Sequence, residues 1–305
     1  MTIASAFAPG SIGNVGPGFD VLGLAVEGIG DRVSVALTDG PSAVDAVTGR
    51  DAELVPRDPA ANVANLAAMA FLRNAGRREN VIVSIEKGLP LSGGLGGSAA
   101  SSVAGAYAAA LAAGVEPSSE EILKAALAGE SVVSGWHLDN LAPSTLGGLT
   151  LVLSVDPIDV IAIPSPTAWW VALVTPSVRI ETKAARALLP EHWDRAAWIG
   201  QMAHTAALAH AFATGDGALV RRALDDRYAE PRRSRLIPHF AEVKKAALDN
   251  GALGCSISGS GPTIFAIAAD ESSARSCSEA MQRAFAEIAS TIHAGPIARK
   301  GVRPA

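Results

Sequence analysis

Hydrophobic and polar residues alternate with a period of two in "DRVSVAL" (31–37), which reads as a strand, and "NVIVSIE" (80–86) reads as another. Upstream, "TIASAF" (2–7) and "FDVLGLAV" (19–26) read as two strands separated by a glycine-rich loop. The period changes to that of a helix in "NVANLAAMAFLRNAG" (62–76), where Val63, Leu66, Ala67 and Ala70 share a face and Gly76 stops the run. The alanine-rich run ending at Gly114 is a second helix. "SSEEILKAALAGES" (118–131), with capping serines, early glutamates and an apolar stripe, is a third. "LGGLTLVL" (146–153) returns to strand, and prolines then cluster in "DPIDVIAIPSPTAWW" (156–170). A domain boundary is expected there, dividing the chain into residues 1–160 and 161–305. The second part holds a strand ("WWVALVTP"), several helices rich in alanine and arginine, and a strand–glycine turn–strand in "GALGCSISGSGPTIFAIAAD" (251–270). A helix over "ESSARSCSEAMQRAFAE" and a short final strand follow. Strands and helices interleaved in this way predict an α/β or α+β protein.

Composition narrows the partners. With 305 residues and 49% hydrophobic content the chain can build a sizeable core. A formal net charge of -5 argues against a nucleic-acid or anionic-membrane surface. The longest weakly apolar run, "VAGAYAAALAAGV", falls well short of the roughly 20 residues that a bilayer needs. "MTIASAFAPG" lacks the basic start of a signal peptide. Two cysteines, Cys255 and Cys277, make no disulfide framework and no CxxC motif. A cytoplasmic protein is expected.

The candidate chemistry centres on "PLSGGLGGSAASS" (90–102), where glycines crowd together immediately before a helix. Unpaired amides and the dipole at a helix N-terminus attract phosphate, and glycine lets the backbone approach it closely. A loop built only for tight packing is the plainer alternative. The Walker pattern GxxxxGK[ST] is absent, and residues 93–98 do not have the GxGxxG spacing. Two further glycine loops, "APGSIGNVGPGFDVLGLAV" (8–26) and "GCSISGSGPTIFAI" (254–267), lie far apart in the chain.

Together, and in this order, the three loops resemble the motifs of the galactokinase, homoserine kinase, mevalonate kinase and phosphomevalonate kinase (GHMP) superfamily. "NVGPGFDVLGLAV" and "HLDNLAPSTLGG" (137–148) resemble segments of its homoserine kinase family, as do "TKAARALLP" and "EPRRSRLIPHF". Two departures stand out. Gly97 replaces a serine of the central loop, and "PGSIGN" replaces the commoner PATSAN. The resemblance implies an α+β fold of two domains, ribosomal protein S5 domain 2-like at the N-terminus and ferredoxin-like at the C-terminus. It implies transfer of phosphate from ATP, with Mg²⁺, to the hydroxyl of L-homoserine. A homodimer is compatible with it.

Residue by residue, the resemblance implies that the loop Pro90, Leu91, Ser92, Gly93, Gly94, Leu95, Gly96, Gly97, Ser98, Ala99 and Ala100 cradles the phosphates. Ser98 and Glu130 are the implied Mg²⁺ ligands, which suits a hard cation that wants oxygen. Glu130 could otherwise be a solvated helix end. Asn62 and Lys87 point to the nucleoside side, although Asn62 can equally be an N-cap and Lys87 a surface charge. For the amino acid, Arg186 and Arg233 suit the carboxylate, with Arg235 able to stand in for Arg233. Asp20 with Asn14 suits the ammonium. Asn140, with Asp139 and His137 beside it, suits the hydroxyl. Asp139 is expected to orient or to act as a weak base, since a loose transition state does not demand a strong one. Gly259, in the "SGSGP" turn, is expected to close over the substrate. The rival readings are a kinase for another small alcohol and an inactive sensor on the same fold; a sensor would have no need to keep Ser98 and Glu130.

Overall fold

The computed structural model describes residues 3–133 and 135–305, so Thr2, expected at the start of the first strand, lies outside the described residues. The elements run β1 (Ile3–Gly13), β2 (Leu22–Thr38), β3 (Ala43–Gly49), α1 (Val63–Asn74), β4 (Asn80–Lys87), α2 (Gly97–Ala112), α3 (Ser119–Glu130), α4 (Leu141–Leu146), β5 (Leu149–Val155) and β6 (Ile158–Ile163). They continue with β7 (Trp170–Pro176), α5 (Thr182–Ala187), α6 (Arg195–Thr214), α7 (Gly217–Ala223), α8 (Glu230–Arg233), α9 (Phe240–Asp249), β8 (Gly254–Ile257), β9 (Ile264–Ala268), α10 (Glu271–Ala284), β10 (Ser290–Pro296) and β11 (Arg303–Pro304). The protein is α+β.

The first sheet has the order β11-β1-β2-β4-β3, with β5 on the far end of β2 and β6 on β5. Only β3 and β4 are parallel in it. Its spine is β2. The sequence pattern suggests two strands here, but "FDVLGLAV" and "DRVSVAL" belong to one strand of 17 residues. The reason is β1, which pairs with β2 on both sides of the polar interruption at Glu27–Gly30 and absorbs it as a register shift at Pro9/Gly10. The N-terminal half of β2 carries β5 and the C-terminal half carries β4.

Helix α1 also differs from its reading. Its buried apolar face is Ala64, Ala67, Ala68, Phe71 and Leu72, while Val63, Leu66 and Ala70 are only partly covered. Two helices press on it rather than one. Gly105 of α2 approaches the Ala64 carbonyl and Gly129 of α3 approaches the Val63 carbonyl, so closely that a β-carbon at either place would come within 2.5 Å of that oxygen. The stripe is therefore broader and rotated. Gly76, at a φ of 70°, does end the helix. α3 starts with a capping box between Ser118 and Glu121, as its serines and glutamates suggest.

The second sheet, β10-β7-β9-β8, is antiparallel throughout. Helices α9 and α10 pack on it through Val243, Ala247, Ala274, Cys277 and Met281. The helix before β8 and the helix before β10 make this a β-α-β-β-α-β arrangement of the ferredoxin-like kind. The final residues then return to the first sheet, where β11 pairs with β1. Among the described residues no helix is long and apolar enough to cross a membrane.

Candidate active site

The central glycine loop lies where β4 gives way to α2. Gly96 caps α2 with a φ of 62°, and a β-carbon on it would strike Ser11 Oγ and Asn140 Oδ1. The first amides of a helix have no partner within it, and the first turn of α2 carries no acidic residue, so this end suits an anion. Pro90, Leu91, Ser92, Gly93, Gly94, Gly96, Gly97 and Ser98 line a cavity of about 360 Å³. Leu95, Ala99 and Ala100 are buried in the core beneath it. The Leu91 amide is already used, donating to Asp51 Oδ2 at 2.9 Å.

The three glycine loops are bonded to one another. Ser11 N donates to the Leu95 carbonyl at 3.1 Å, and Gly259 N to the Gly13 carbonyl at 3.0 Å. Ser258 Oγ and Thr263 Oγ1 donate to the carbonyls of Gly94 and Gly93, at 2.5 and 2.6 Å. Each loop thus fixes the other two, and this site is one of the places where the second sheet meets the first.

At one end of the cavity, Ser98 Oγ donates to Glu130 Oε1 at 2.8 Å, joining the first turn of α2 to the last residue of α3. Glu130 is buried, so it is not a solvated helix end. Asn62 and Lys87 line the same cavity, but their polar groups are consumed by the fold. Asn62 caps α1, its Oδ1 accepting from Ala64 N and Asn65 N at 3.1 Å each, and its Nδ2 donates to the Pro56 carbonyl. The Lys87 ammonium is buried against Asp31, the Gly97 carbonyl at 2.9 Å and Ser101 Oγ at 3.0 Å. Asp31 in turn accepts from Gly88 N and Leu89 N. Lys87 is a strut under the phosphate loop rather than a surface charge.

At the other end of the cavity lies a cluster built from the first glycine loop, the 137–140 segment, α5 and α8. Asp20, at a φ of 57°, forms a bidentate pair with Arg186, with both bonds at 2.9 Å. Asn14 Oδ1 accepts from Asp20 N, and its Nδ2 donates to the Gly259 carbonyl at 3.2 Å. His137 Nδ1 is 3.6 Å from Asp20, and burial holds its imidazole below the ordinary value. Asn140 accepts at Oδ1 from Ser11 Oγ at 3.0 Å. Asp139, 5% exposed, accepts from the Asn14 amide at 3.2 Å. Burial, with the Asp20 charge nearby, pushes its carboxyl up to about 7.

Arg233 is the most constrained group here. It is 2% exposed and donates one bond, Nη1 to the Gly259 carbonyl at 2.8 Å. Among the described residues its Nε finds no partner, and neither does the Nε of Arg186. Both guanidiniums lie over the ring of Phe19, at 5.3 and 5.2 Å. Burial and the neighbouring Arg186 charge lower the proton affinity of Arg233. Arg235 is exposed. The cluster brings Asn14, Asp20, His137, Asp139, Asn140, Arg186, Arg233 and Gly259 to one wall of the cavity. The sequence reading passed over Phe19, Ser11, Asp31 and Ser101. Phe19 stands inside a motif beside Asp20, so an aromatic next to a charge was the available signal.

A glycine loop at a helix N-terminus suited to an anion, a polar pocket beside it and an α+β fold of two sheets are features of a small-molecule kinase of the GHMP type. Residues 62–148 match the family model for the GHMP kinases N terminal domain, and residues 208–287 match GHMP kinases C terminal. The chain belongs, within these kinases, to the homoserine kinase family. It is 38% identical over 319 residues to homoserine kinase of Chlorobium phaeobacteroides (strain BS1), covering 99% of each chain. It is 41% identical over 283 residues to homoserine kinase of Pyrococcus abyssi (strain GE5 / Orsay), covering 92% of each. The crystal structure of homoserine kinase from Cytophaga hutchinsonii superposes with a TM-score of 0.95 at 37% identity, covering 100% of this chain and 98% of that one. Membership of a kinase family implies ATP as phosphoryl donor.

Proposed function

We propose that this chain transfers the terminal phosphoryl group of ATP to the side-chain hydroxyl of L-homoserine, making O-phospho-L-homoserine for threonine biosynthesis in the cytoplasm. One observation carries the choice of substrate. Two guanidiniums share one aromatic ring, and among the described residues neither buried Nε–H meets an acceptor. Buried donors are rarely left unpaired, and no carboxylate among the described residues forms an ion pair with Arg233. A substrate carboxylate accepts from both, and planar bidentate geometry is what arginine offers best. Asp20 takes the ammonium. Asn140, held by Ser11, orients the hydroxyl, and Asp139 stands beside it to receive the proton.

Phosphoryl transfer asks a protein mainly for positioning and charge neutralisation. The amides at the start of α2 bind the phosphates, and the ring of glycine-loop bonds keeps them in place. Ser98 and Glu130 would hold Mg²⁺: they place a hydroxyl and a carboxylate oxygen side by side, the hard donor set that this ion prefers, leaving room for water and phosphate oxygens. When bound, the ion neutralises charge on the phosphate oxygens.

The test is calorimetry with L-homoserine. Arg233→Leu removes the unpaired cation, and a hydrogen bond to a charged group contributes roughly 1.5–3 kcal/mol. The expected result is homoserine affinity weaker by about tenfold to a few hundredfold, with ATP affinity nearly unchanged. Wild-type homoserine affinity in this variant contradicts the assignment.

A further inference from the structure

We propose that Gln201 is a positioning residue for homoserine recognition: its one side-chain amide sets the spacing between the loop carrying Phe19 and Asp20 and the turn carrying Arg233. The inference rests on the substrate reading above. Gln201 is a buried polar side chain on α6, a helix that otherwise exposes much of its surface. Its Nε2 donates to the Pro17 carbonyl at 2.9 Å and to Asp226 Oδ1 at 2.8 Å, and its Oε1 accepts from Arg227 N at 2.9 Å. Pro17 stands two residues before Phe19. Asp226, also buried, opens the turn into α8. Its Oδ1 accepts from Tyr228 N at 2.8 Å and Ala229 N at 3.0 Å, and its Oδ2 from Glu230 N at 2.8 Å. α8 then ends at Arg233.

The amide thus joins the two segments whose side chains make up the carboxylate-binding wall. Two other contacts close the same gap. Thr205 Oγ1 donates to the Pro17 carbonyl at 2.9 Å, and Phe19 meets Tyr228 edge to face at 5.0 Å. The chemistry asks for an amide. Two acceptors face the nitrogen and one donor faces the oxygen, so neither a carboxylate nor an apolar side chain satisfies all three. None of these bonds reaches the start of α2, so the nucleotide end does not depend on them.

Steady-state kinetics of the full chain test this. Gln201→Leu is expected to raise KM for homoserine about tenfold or more, with KM for ATP and kcat within about threefold. Gln201→Glu is nearly the same shape, yet sets a carboxylate against Asp226 and the Pro17 carbonyl. It is expected to do more harm than Leu, whereas a purely steric role makes Glu the milder change. A folded Gln201→Leu variant with wild-type homoserine KM, or with both KM values raised alike, overturns the proposal, as does Glu being milder than Leu. Should Leu fail to fold, Gln201→Met is measured against Glu with the same expected order. Hydrogen exchange separates this claim from the substrate reading. If the wild-type chain does not phosphorylate homoserine, that reading fails. The positioning claim then stands if the folded Leu or Met variant exchanges faster at Phe19–Asp20 and Tyr228–Glu230 but not at the start of α2, and falls if exchange there is unchanged.

Discussion

Asp139 holds its proton more tightly than an aspartate in water. Its carboxyl is buried and faces the negative charge of Asp20, and these two effects outweigh the amide bonds it accepts and raise it from 3.8 to about 7. The consequence for stability has a definite sign. Between these two values the folded chain binds more protons than the unfolded one, so the raised carboxyl makes the protein less stable as pH rises from about 4 to 7. Asp139→Asn removes that penalty and retains the acceptor for Asn14. Its melting temperature should exceed that of the wild type by an amount that grows from pH 4 to 7 and then levels off. A difference independent of pH would show that Asp139 ionises normally. The rate should move the other way. A group receiving the hydroxyl proton must be ionised, so wild-type kcat/KM should fall as pH drops below about 7, and Asp139→Asn should lose roughly 10²- to 10⁴-fold. A loss under about tenfold would leave Asp139 with an orienting role only. Lys87 and Asn62 teach the complementary lesson. Both reach the cavity wall, but an ion pair and a helix cap already occupy their polar groups, and no local pattern reveals a partner such as Asp31, 56 residues away.

At the scale of elements, what was legible in the sequence is what is locally encoded. The glycines before α2, the capping serine of α3 and the stop at Gly76 each act within a few residues, and each was readable. β2 was misread as two strands because the partner that keeps it continuous, β1, is not visible in its own pattern. The α1 face was misread because two helices, not one, cover it. Of the cavity lining, the glycine loop and the 137–140 segment stand out in the sequence as motifs. The Gln201–Asp226 crosslink could not, because a buried glutamine on an alanine-rich helix gives no periodic signal. The loop also yields a sharp contrast between neighbours. Gly96 has a left-handed backbone, and a β-carbon there meets Ser11 and Asn140, whereas at Gly97 the nearest atom is the Pro90 carbonyl at 3.3 Å. Gly97→Ser should therefore keep activity within a few-fold. Gly96→Ala should abolish most of it, since the strain of about 1–2 kcal/mol adds to a clash with Asn140, the residue proposed to orient the hydroxyl. Equal kcat/KM values for the two variants would contradict this account of the loop.

At the scale of the whole molecule, one face of the second sheet (Val171, Leu173, Phe265 and Ile267) shares the core of the first, its other face packs on α9 and α10, and the three glycine loops meet where the two parts join. The first sheet brings the phosphate cradle, Asp20 and Asn140. The second part of the chain brings Gly259, Arg186 and Arg233. On the proposed reading, homoserine binding depends on both parts being held in register, through the Gly259–Gly13 and Ser258–Gly94 bonds and through Gln201. Small-molecule sites commonly form at such junctions. The central claim is that this junction selects an amino acid bearing a primary hydroxyl. The most direct measurement is a coupled assay of ADP release by the purified chain with Mg²⁺-ATP and, in turn, homoserine, serine, threonine, mevalonate and galactose, with the phosphorylated product identified by mass. The account expects homoserine to give the highest kcat/KM and O-phosphohomoserine to be the product. A higher kcat/KM for mevalonate or galactose, neither of which offers both a carboxylate and an ammonium, would contradict it.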